Sequence, residues 1–375
     1  MLSPTRRVTG AAVLIGLLGA ALATLALVDA SAGPSAAHRA RSPAGPGRTP
    51  QAGPAAGQAS SRAALRLLSA AAEAGTAITY QGVQIVAWWG PHGSTTSVVQ
   101  VWHERDRSTL AQVTDVGSAP SAAKAKLPAS GQDADGILGL PPQLLGLIRA
   151  NYQVADAGRG RAAGRPAQII ELRRPDGSLA ARYWLDAVTK LPLRREIFDS
   201  RARMISEDAF INVHIGERGR SGMPAGDARP WSTRLDPAQI ATLRAQGWPL
   251  PAELPGNLLL VSAHQTMTPA GPVIDLGYSD GLSVVSVFLQ RGQLDGALPG
   301  WREVALRGRP VYSADPDLHS LAWSARGFVY TVIAEAPPAT VDQVVGALPH
   351  DAGPGFWGRI ARGLRRLVGM ANPFR

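Results

Sequence analysis

The segment Gly277-x-Ser279-x-Gly281 has the spacing of a hydrolase nucleophile elbow. In an elbow, a strand delivers the serine to a sharp turn and a helix leaves it, which exposes the hydroxyl for attack on an acyl carbon. Here Val273-Ile274-Asp275-Leu276 precedes the motif, and the β-branched Val284, Val285 and Val287 follow it. That pattern is strand, Asp280-Gly281 turn, strand, so the motif reads as a hairpin with Ser279 in its turn. A cell-wall hydrolase acting through Ser279 is kept as a third reading, in which Ser279→Ala abolishes an activity.

The remaining chemistry-bearing residues do not assemble by spacing. The seven histidines are His38, His92, His103, His214, His264, His319 and His350. No two stand at i, i+4, and none pairs with a glutamate as in a zinc protease helix. His103 and Glu104 adjoin on an expected strand, which sends their side chains to opposite faces. Asp315-Pro316-Asp317 reads as a turn before it reads as a carboxylate pair. Gly158-Arg159-Gly160 lacks both dinucleotide-binding and P-loop spacings. The chain has no cysteine, so neither a disulfide nor a thiolate zinc site exists. The sequence therefore assigns no catalytic residue, no metal ligand and no cofactor.

Two sets of residues suit binding instead. Trp88, Trp89, Trp102 and Trp184 fall on expected strands of the first half. They either pack a core or line a concave apolar cavity for an acyl chain. Trp88 and Trp89 are adjacent and must face opposite sides of their strand. The cavity reading takes Val83, Ile85, Trp88, Trp89, Val99, Val101 and Trp102 as lining, under a short helix at Pro141–Ala150. The second set is the tail. Phe356, Ile360, Leu364 and Leu367 recur at helical spacing, with Arg359, Arg362, Arg365 and Arg366 largely on the other side. That is a basic amphipathic helix, suited to an anionic membrane surface or a partner groove. The same stripe also fits docking on its own domain.

The elements that position these residues are mostly strands. A helix capped by Ser61 carries Leu65, Leu67 and Leu68 to Gly75. Ile78–Trp89 and Ser97–Glu104 form a hairpin across Gly90-Pro91-His92-Gly93. Gln168–Leu172 and Leu179–Leu185 flank the turn Pro175-Asp176-Gly177. Tyr183-Trp184-Leu185-Asp186 runs to a turn that Asp186 opens and Pro192 ends, and strands at Leu193–Asp199 and Met204–Ile215 follow. Sequential strands with tight turns imply an antiparallel, curved sheet. Arg218–Pro230 reads as a linker. Asp236-Pro237 then opens a helix ended by Gly247. Strands are expected at 258–267, 273–278, 282–289, 302–306, 318–323 and 328–334. Thr340 with Gln343 reads as a capping box for a closing helix.

Charge and the N-terminus bear on compartment. Lys+Arg 38 against Asp+Glu 28 gives a net charge of +10. Lys124, Lys126 and Lys190 are the lysines, so the positive charge is nearly all arginine. With much Ala, Gly and Pro, this points to a GC-rich genome, and the scattered arginines weigh against nucleic acid as a partner. Arg6-Arg7 precedes an uncharged apolar run from Ala11 to Val28, and Ala30-Ser31-Ala32 fits a small-residue cleavage site. The run is a signal peptide or a retained membrane anchor. Either way, residues 33–375 are expected outside the cytoplasm. Residues 33–58 have a linker composition.

Three segments resemble a known family. They are Tyr80-Gln81-Gly82-Val83-Gln84-Ile85-Val86, then Tyr183-Trp184-Leu185-Asp186 with Leu191-Pro192-Leu193-Arg194, and Tyr278-Ser279-Asp280-Gly281-Leu282 with Ser286-Val287-Phe288. On these the chain, over roughly residues 60–350, resembles the RseB/MucB family of sigma-E regulatory proteins in its actinobacterial form. The resemblance implies an α+β fold. Its N-terminal part is a half-open, LolA-like antiparallel β-barrel with helices on the concave side. A smaller antiparallel-sheet and helix domain follows. The implied division is segment 1–32, linker 33–58, first domain 59–217, linker 218–232, second domain 233–350 and tail 351–375. The resemblance also implies a membrane-spanning anti-sigma factor as partner, control of its proteolysis, and a lipid signal. The alternative is a lipid or lipoprotein carrier sharing the fold. The arginine-rich tail and a retained anchor depart from the family pattern.

Overall fold

A computed structural model describes residues 7–8, 54–90, 93–105, 109–114, 126–127, 140, 142–216, 233–294, 298, 300–314 and 319–351. Its first long element is helix α1, Pro54–Ala77. Proline suits the first helical turn, where its missing N–H leaves no bond unmade. The helix thus starts ahead of Ser61, inside the stretch with linker composition, and it runs through Gly75. Ala64, Leu68, Ala71 and Ala72 are buried along one side of it, at the i, i+4, i+7, i+8 spacing of a single helix face.

The first sheet follows. Its strands are β1 Tyr80–Gly90, β2 Gly93–His103 and β3 Thr109–Thr114, then β4 Gln153–Ala162, β5 Arg165–Arg173, β6 Leu179–Asp186, β7 Pro192–Phe198 and β8 Met204–Ile215. They are ordered β3-β2-β1-β8-β7-β6-β5-β4, every neighbour is antiparallel, and a short strand at Lys126–Leu127 extends the β3 edge. Two meanders are therefore joined where the last strand pairs with the first. The sheet does not close, and α1 covers its concave side. Ala64, Leu68 and Ala72 pack there with Ile170, Leu172, Tyr183 and Leu185. A 3-10 turn at Pro142–Leu144 and helix α2, Leu145–Asn151, lie on the same side, with Ile148 fully buried in that cluster.

The other face carries charge. Cross-strand partners Glu171, Arg182 and Glu196 stand in one row. Arg182 reaches Glu171 at 2.7 Å and Glu196 at 3.5 Å, and Arg194 bridges Glu196 and Glu207 at 2.6 and 3.0 Å. Trp184 lies between the guanidiniums of Arg182 and Arg194, at 5.7 and 4.7 Å from its ring. Its indole serves this cation-π ladder rather than a cavity.

The second sheet contains β9 Leu258–Thr268, β10 Gly271–Ser279, β11 Val284–Arg291, β12 Arg302–Leu306, β13 Arg309–Ser313, β14 Ser320–Ala325 and β15 Phe328–Glu335. Their order is β9-β10-β11-β15-β14-β13-β12, with short strands at Thr233–Arg234 and Glu253–Leu254 on β9. Helix α3, Pro237–Ala245, enters through the expected cap: Asp236 and Gln239 bond each other's backbone N–H. The closing helix α4 runs Pro338–Ala347 and corrects the expected capping box at Thr340. Its N-cap is Pro337, with no side-chain cap bond, because Pro338 already sets the helical φ at the first position. The strands β3, β4 and β13 escaped the sequence pattern. β4 reads Gln-Val-Ala-Asp-Ala-Gly-Arg-Gly-Arg-Ala, which holds one β-branched residue and no alternation, and its partner β5 decides its conformation.

Candidate functional site at the junction of the two sheets

The β10–β11 hairpin, which carries the Gly-x-Ser-x-Gly spacing, docks on α2. Ser279 is buried. Its Oγ donates to the Ser283 carbonyl at 2.8 Å and accepts from Gly281 N at 3.0 Å. The hydroxyl is thus committed to closing the turn, as the flanking strands imply. Asp280 Oδ1 accepts from Leu282 N at 2.9 Å and Ser283 N at 2.7 Å, while its Oδ2 accepts from the Tyr152 hydroxyl at 2.7 Å. Asn151 Nδ2 donates to the Asp280 carbonyl at 2.9 Å, and Asn257 Nδ2 donates to Asn151 Oδ1 at 3.1 Å. Burial, followed by the charge of Asp280, pushes the Tyr152 phenol well above its ordinary range, so it stays a donor. Gly281 has φ +104°, and a Cβ there would lie 2.8 Å from Ile148 N. Only glycine lets the hairpin tip approach α2 this closely. Leu282 completes the contact inside the first sheet's core cluster.

A second contact lies on the concave face. Arg195 on β7 and Asp208 on β8 stand opposite each other, joined at 2.5 Å with both side chains largely buried. Burial alone would lower the Arg195 guanidinium, but the Asp208 carboxylate outweighs it and the group remains charged. Glu335, at the end of β15 in the second sheet, is near enough to feel both. Burial raises its carboxyl to about 7; Arg195 opposes that rise and Asp208 adds to it. Trp88 and His319 meet with ring centroids 5.1 Å apart. Polar turn contacts, one charged cluster and one ring pair therefore join the two sheets. None of these cross-sheet pairs is visible in sequence, since Tyr152 and Asp280 lie 128 residues apart.

The seven residues expected to line one cavity are divided. In the β1–β2 register, Val101 stands opposite Gly82 and Val99 opposite Gln84, while Gln100 stands opposite Val83 and Val98 opposite Ile85. Trp88, Val99 and Val101 therefore share the concave face. Val83, Ile85, Trp89 and Trp102 share the other, because successive residues alternate across a strand. Val99 and Val101 are fully buried against Tyr80, Leu191, Leu193 and Phe210, so the protein's own side chains occupy the space beside them. This corrects the single seven-residue lining. Trp88 and Trp89 do face opposite sides, with Trp89 36% exposed. The concave face is not wholly satisfied, however. Gln84 Oε1 and Ser206 Oγ are buried there without a hydrogen-bond partner among the described residues.

Phe356, Arg359, Ile360, Arg362, Leu364, Arg365, Arg366 and Leu367 lie outside the described residues, as do the apolar run Ala11–Val28 and the Asp315-Pro316-Asp317 turn. Among the described residues no helix is long and apolar enough to cross a membrane. No group of three or more His, Asp or Glu side chains there could hold a metal ion.

Residues 95–240 match the family model of the MucB/RseB N-terminal domain. A crystal structure of MucB is similar at 21% identity and TM-score 0.51, covering 77% of this chain and 99% of that one. The Pseudomonas aeruginosa MucA/MucB complex matches at 20% identity and TM-score 0.46, covering 77% of this chain and 100% of that one. No curated protein sequence matches. The matched domain runs from β2 into α3, across the concave sheet and the helix that receives the hairpin.

Proposed function

We propose that this chain is a non-enzymatic, extracytoplasmic regulator that binds the outer part of a membrane-spanning anti-sigma factor and governs its proteolysis. The observation that carries this reading is the MucB/RseB N-terminal domain over residues 95–240. MucB has been solved in complex with MucA(peri), and the shared domain is what brings that kind of partnership to this chain. The commitment of Ser279 to its turn supports a binding role over a hydrolytic one. The division into segment 1–32, linker 33–58, domains 59–217 and 233–350 joined by 218–232, and tail 351–375 belongs to the same proposal. The N-terminal segment exports or anchors the chain. The test is a pull-down with the outer part of the anti-sigma protein encoded beside this gene. Binding at micromolar concentration is expected. Its absence with both partners folded overturns the reading.

A lipid-binding reading, as sensor or carrier, is favoured by one observation: Gln84 and Ser206 leave two unpartnered polar atoms buried on the concave face. Buried polar groups are costly unless bonded, and a ligand's polar head placed there would satisfy them. Mass spectrometry of lipid extracted from the purified protein tests this. A bound lipid that Gln84→Ala depletes supports it; a lipid-free extract removes it.

A further inference from the structure

On the outer side of α1, away from the sheet, an open groove of about 380 Å³ runs beside α2. We propose that this groove binds a phosphate-bearing anion through Arg62, Arg66 and Arg149. The inference is independent of the anti-sigma reading. Arg62, Leu65, Arg66, Ser69 and Glu73 line it from α1, and Arg149 from α2. Arg62 and Arg66 are one turn apart on the same helix face. Arg149 Nη2 donates to Ser69 Oγ at 3.1 Å, which holds its guanidinium over the next turn. Glu73 closes the far end of the groove, about 10 Å along the axis from Arg66 at 1.5 Å per residue but one turn past the Ser69 that holds Arg149.

Other arginines of the two sheets sit against carboxylates: Arg165 on Asp186, Arg182 on Glu171, Arg195 on Asp208, Arg203 on Asp199 and Arg307 on Asp342. Among the described residues, none of the three groove arginines has such a partner. The groove holds three exposed arginines against the single carboxylate of Glu73, a net positive charge that favours an anion. The guanidinium fork matches phosphate oxygens two at a time, which a point-charge ammonium cannot do. The volume accommodates a phosphate together with part of the body that carries it. The site is also coupled to the junction. Arg149 is flanked on α2 by Ile148 and Asn151, the residues that meet Gly281 and Asp280. An anion on Arg149 would thus restrain the helix that holds the two sheets together.

The same phosphate chemistry is offered by a free phosphomonoester and by an anionic lipid headgroup. The experiment titrates the full chain with inorganic phosphate and glycerol phosphate by calorimetry. It also sediments the chain with phosphatidylglycerol vesicles. Arg66→Gln and Arg149→Gln are each expected to weaken binding about tenfold, the loss typical of one charge-assisted hydrogen bond. Arg302→Gln, an exposed arginine elsewhere, is the control and should change nothing. Free phosphate that binds with this dependence identifies a soluble source. Vesicle binding that shows the dependence while free phosphate fails to bind identifies a headgroup. Binding indifferent to Arg66 and Arg149 overturns the proposal, and so does no binding in either arm. Tighter binding of an oligoglutamate peptide than of either phosphate probe, with the same dependence, also overturns it in favour of a carboxylate partner.

Discussion

Asp186 shows how much one residue organises. It is 1% exposed. It accepts hydrogen bonds from Val188 N, Thr189 N and Thr189 Oγ1, and Arg165 Nε reaches it at 2.6 Å. Burial alone would raise its carboxyl. The Arg165 and Thr189 bonds outweigh that and hold it below the ordinary 3.8. Its stabilising contribution is therefore present above pH 3.8 and is lost as pH falls through the depressed folded value. Asp186→Ala is expected to cost about 1.5–3 kcal/mol at pH 7, because it leaves turn amides and a charged Arg165 without their acceptor. Urea unfolding at pH 7 measures this; a loss under about 0.5 kcal/mol, the level of an ordinary surface change, would show the turn closes without it. The sequence reading that Asp186 opens this turn needed only local rules. The part played by Arg165 depended on pairing of β5 with β6.

At the scale of the element, the β10–β11 hairpin and α2 act as a plug and its socket. Gly281→Ala places a methyl against the Ile148 backbone at 2.8 Å and forces a side chain onto φ +104°. A cost of about 1–3 kcal/mol is expected from strain and overpacking. The hydrogen-exchange signature should be local: faster amides in α2 and the hairpin tip, with β14 and β15 unchanged. Uniform acceleration, or none, would show that the hairpin is not what clamps α2. The hairpin itself was legible, because Asp-Gly between two β-branched runs is a local turn signal. Its socket was not, because α2 is short and carries nothing that marks it as a receptor. Strand alternation was legible in the same limited way. It required Trp88 and Trp89 to diverge, yet it could not say that Val83 and Val99 would also diverge, since that follows from the β1–β2 register.

For the whole molecule, the contact of the two sheets is expected to respond to pH through Glu335. Its folded value of about 7 exceeds the ordinary 4.5, so between these values the folded state holds a proton that the unfolded chain has released. The stabilisation from Glu335 is then fully present below pH 4.5 and is lost as pH rises through about 7. Glu335→Gln, which cannot ionise, should match wild type in unfolding free energy near pH 4.5 and exceed it near pH 8. A difference constant across that range would show that Arg195 compensates the carboxylate fully. A second proposal for the intact chain concerns residues 351–375, read from sequence as a basic amphipathic tail. If the tail contacts a membrane, as we propose, each of Arg359, Arg362, Arg365 and Arg366 would contribute about 1 kcal/mol near an anionic leaflet, and Phe356, Ile360, Leu364 and Leu367 would add apolar burial. Removing residues 355–375 is expected to weaken sedimentation with anionic vesicles, and added salt to weaken binding of the intact chain. Equal binding by both forms would assign the tail to intramolecular docking or a protein partner.

What the sequence determined by itself was local. Turns, caps and strand-forming runs depend on residues within a few positions of one another, and so does the reading of Ser279 as a turn residue. The resemblance to the RseB/MucB family was also within reach, because the segments Tyr80–Val86, Tyr183–Arg194 and Tyr278–Phe288 that carry it are local stretches of sequence. The tertiary structure decided everything that depends on register and on long-range docking. It split Val83, Ile85, Trp89 and Trp102 from Trp88, Val99 and Val101. It placed Arg195 against Asp208 and near Glu335, and it brought Arg149 to the face of α1. The physical reason is the two-residue period of a strand: one step of register exchanges its faces, and nothing within a strand records which partner will set that step.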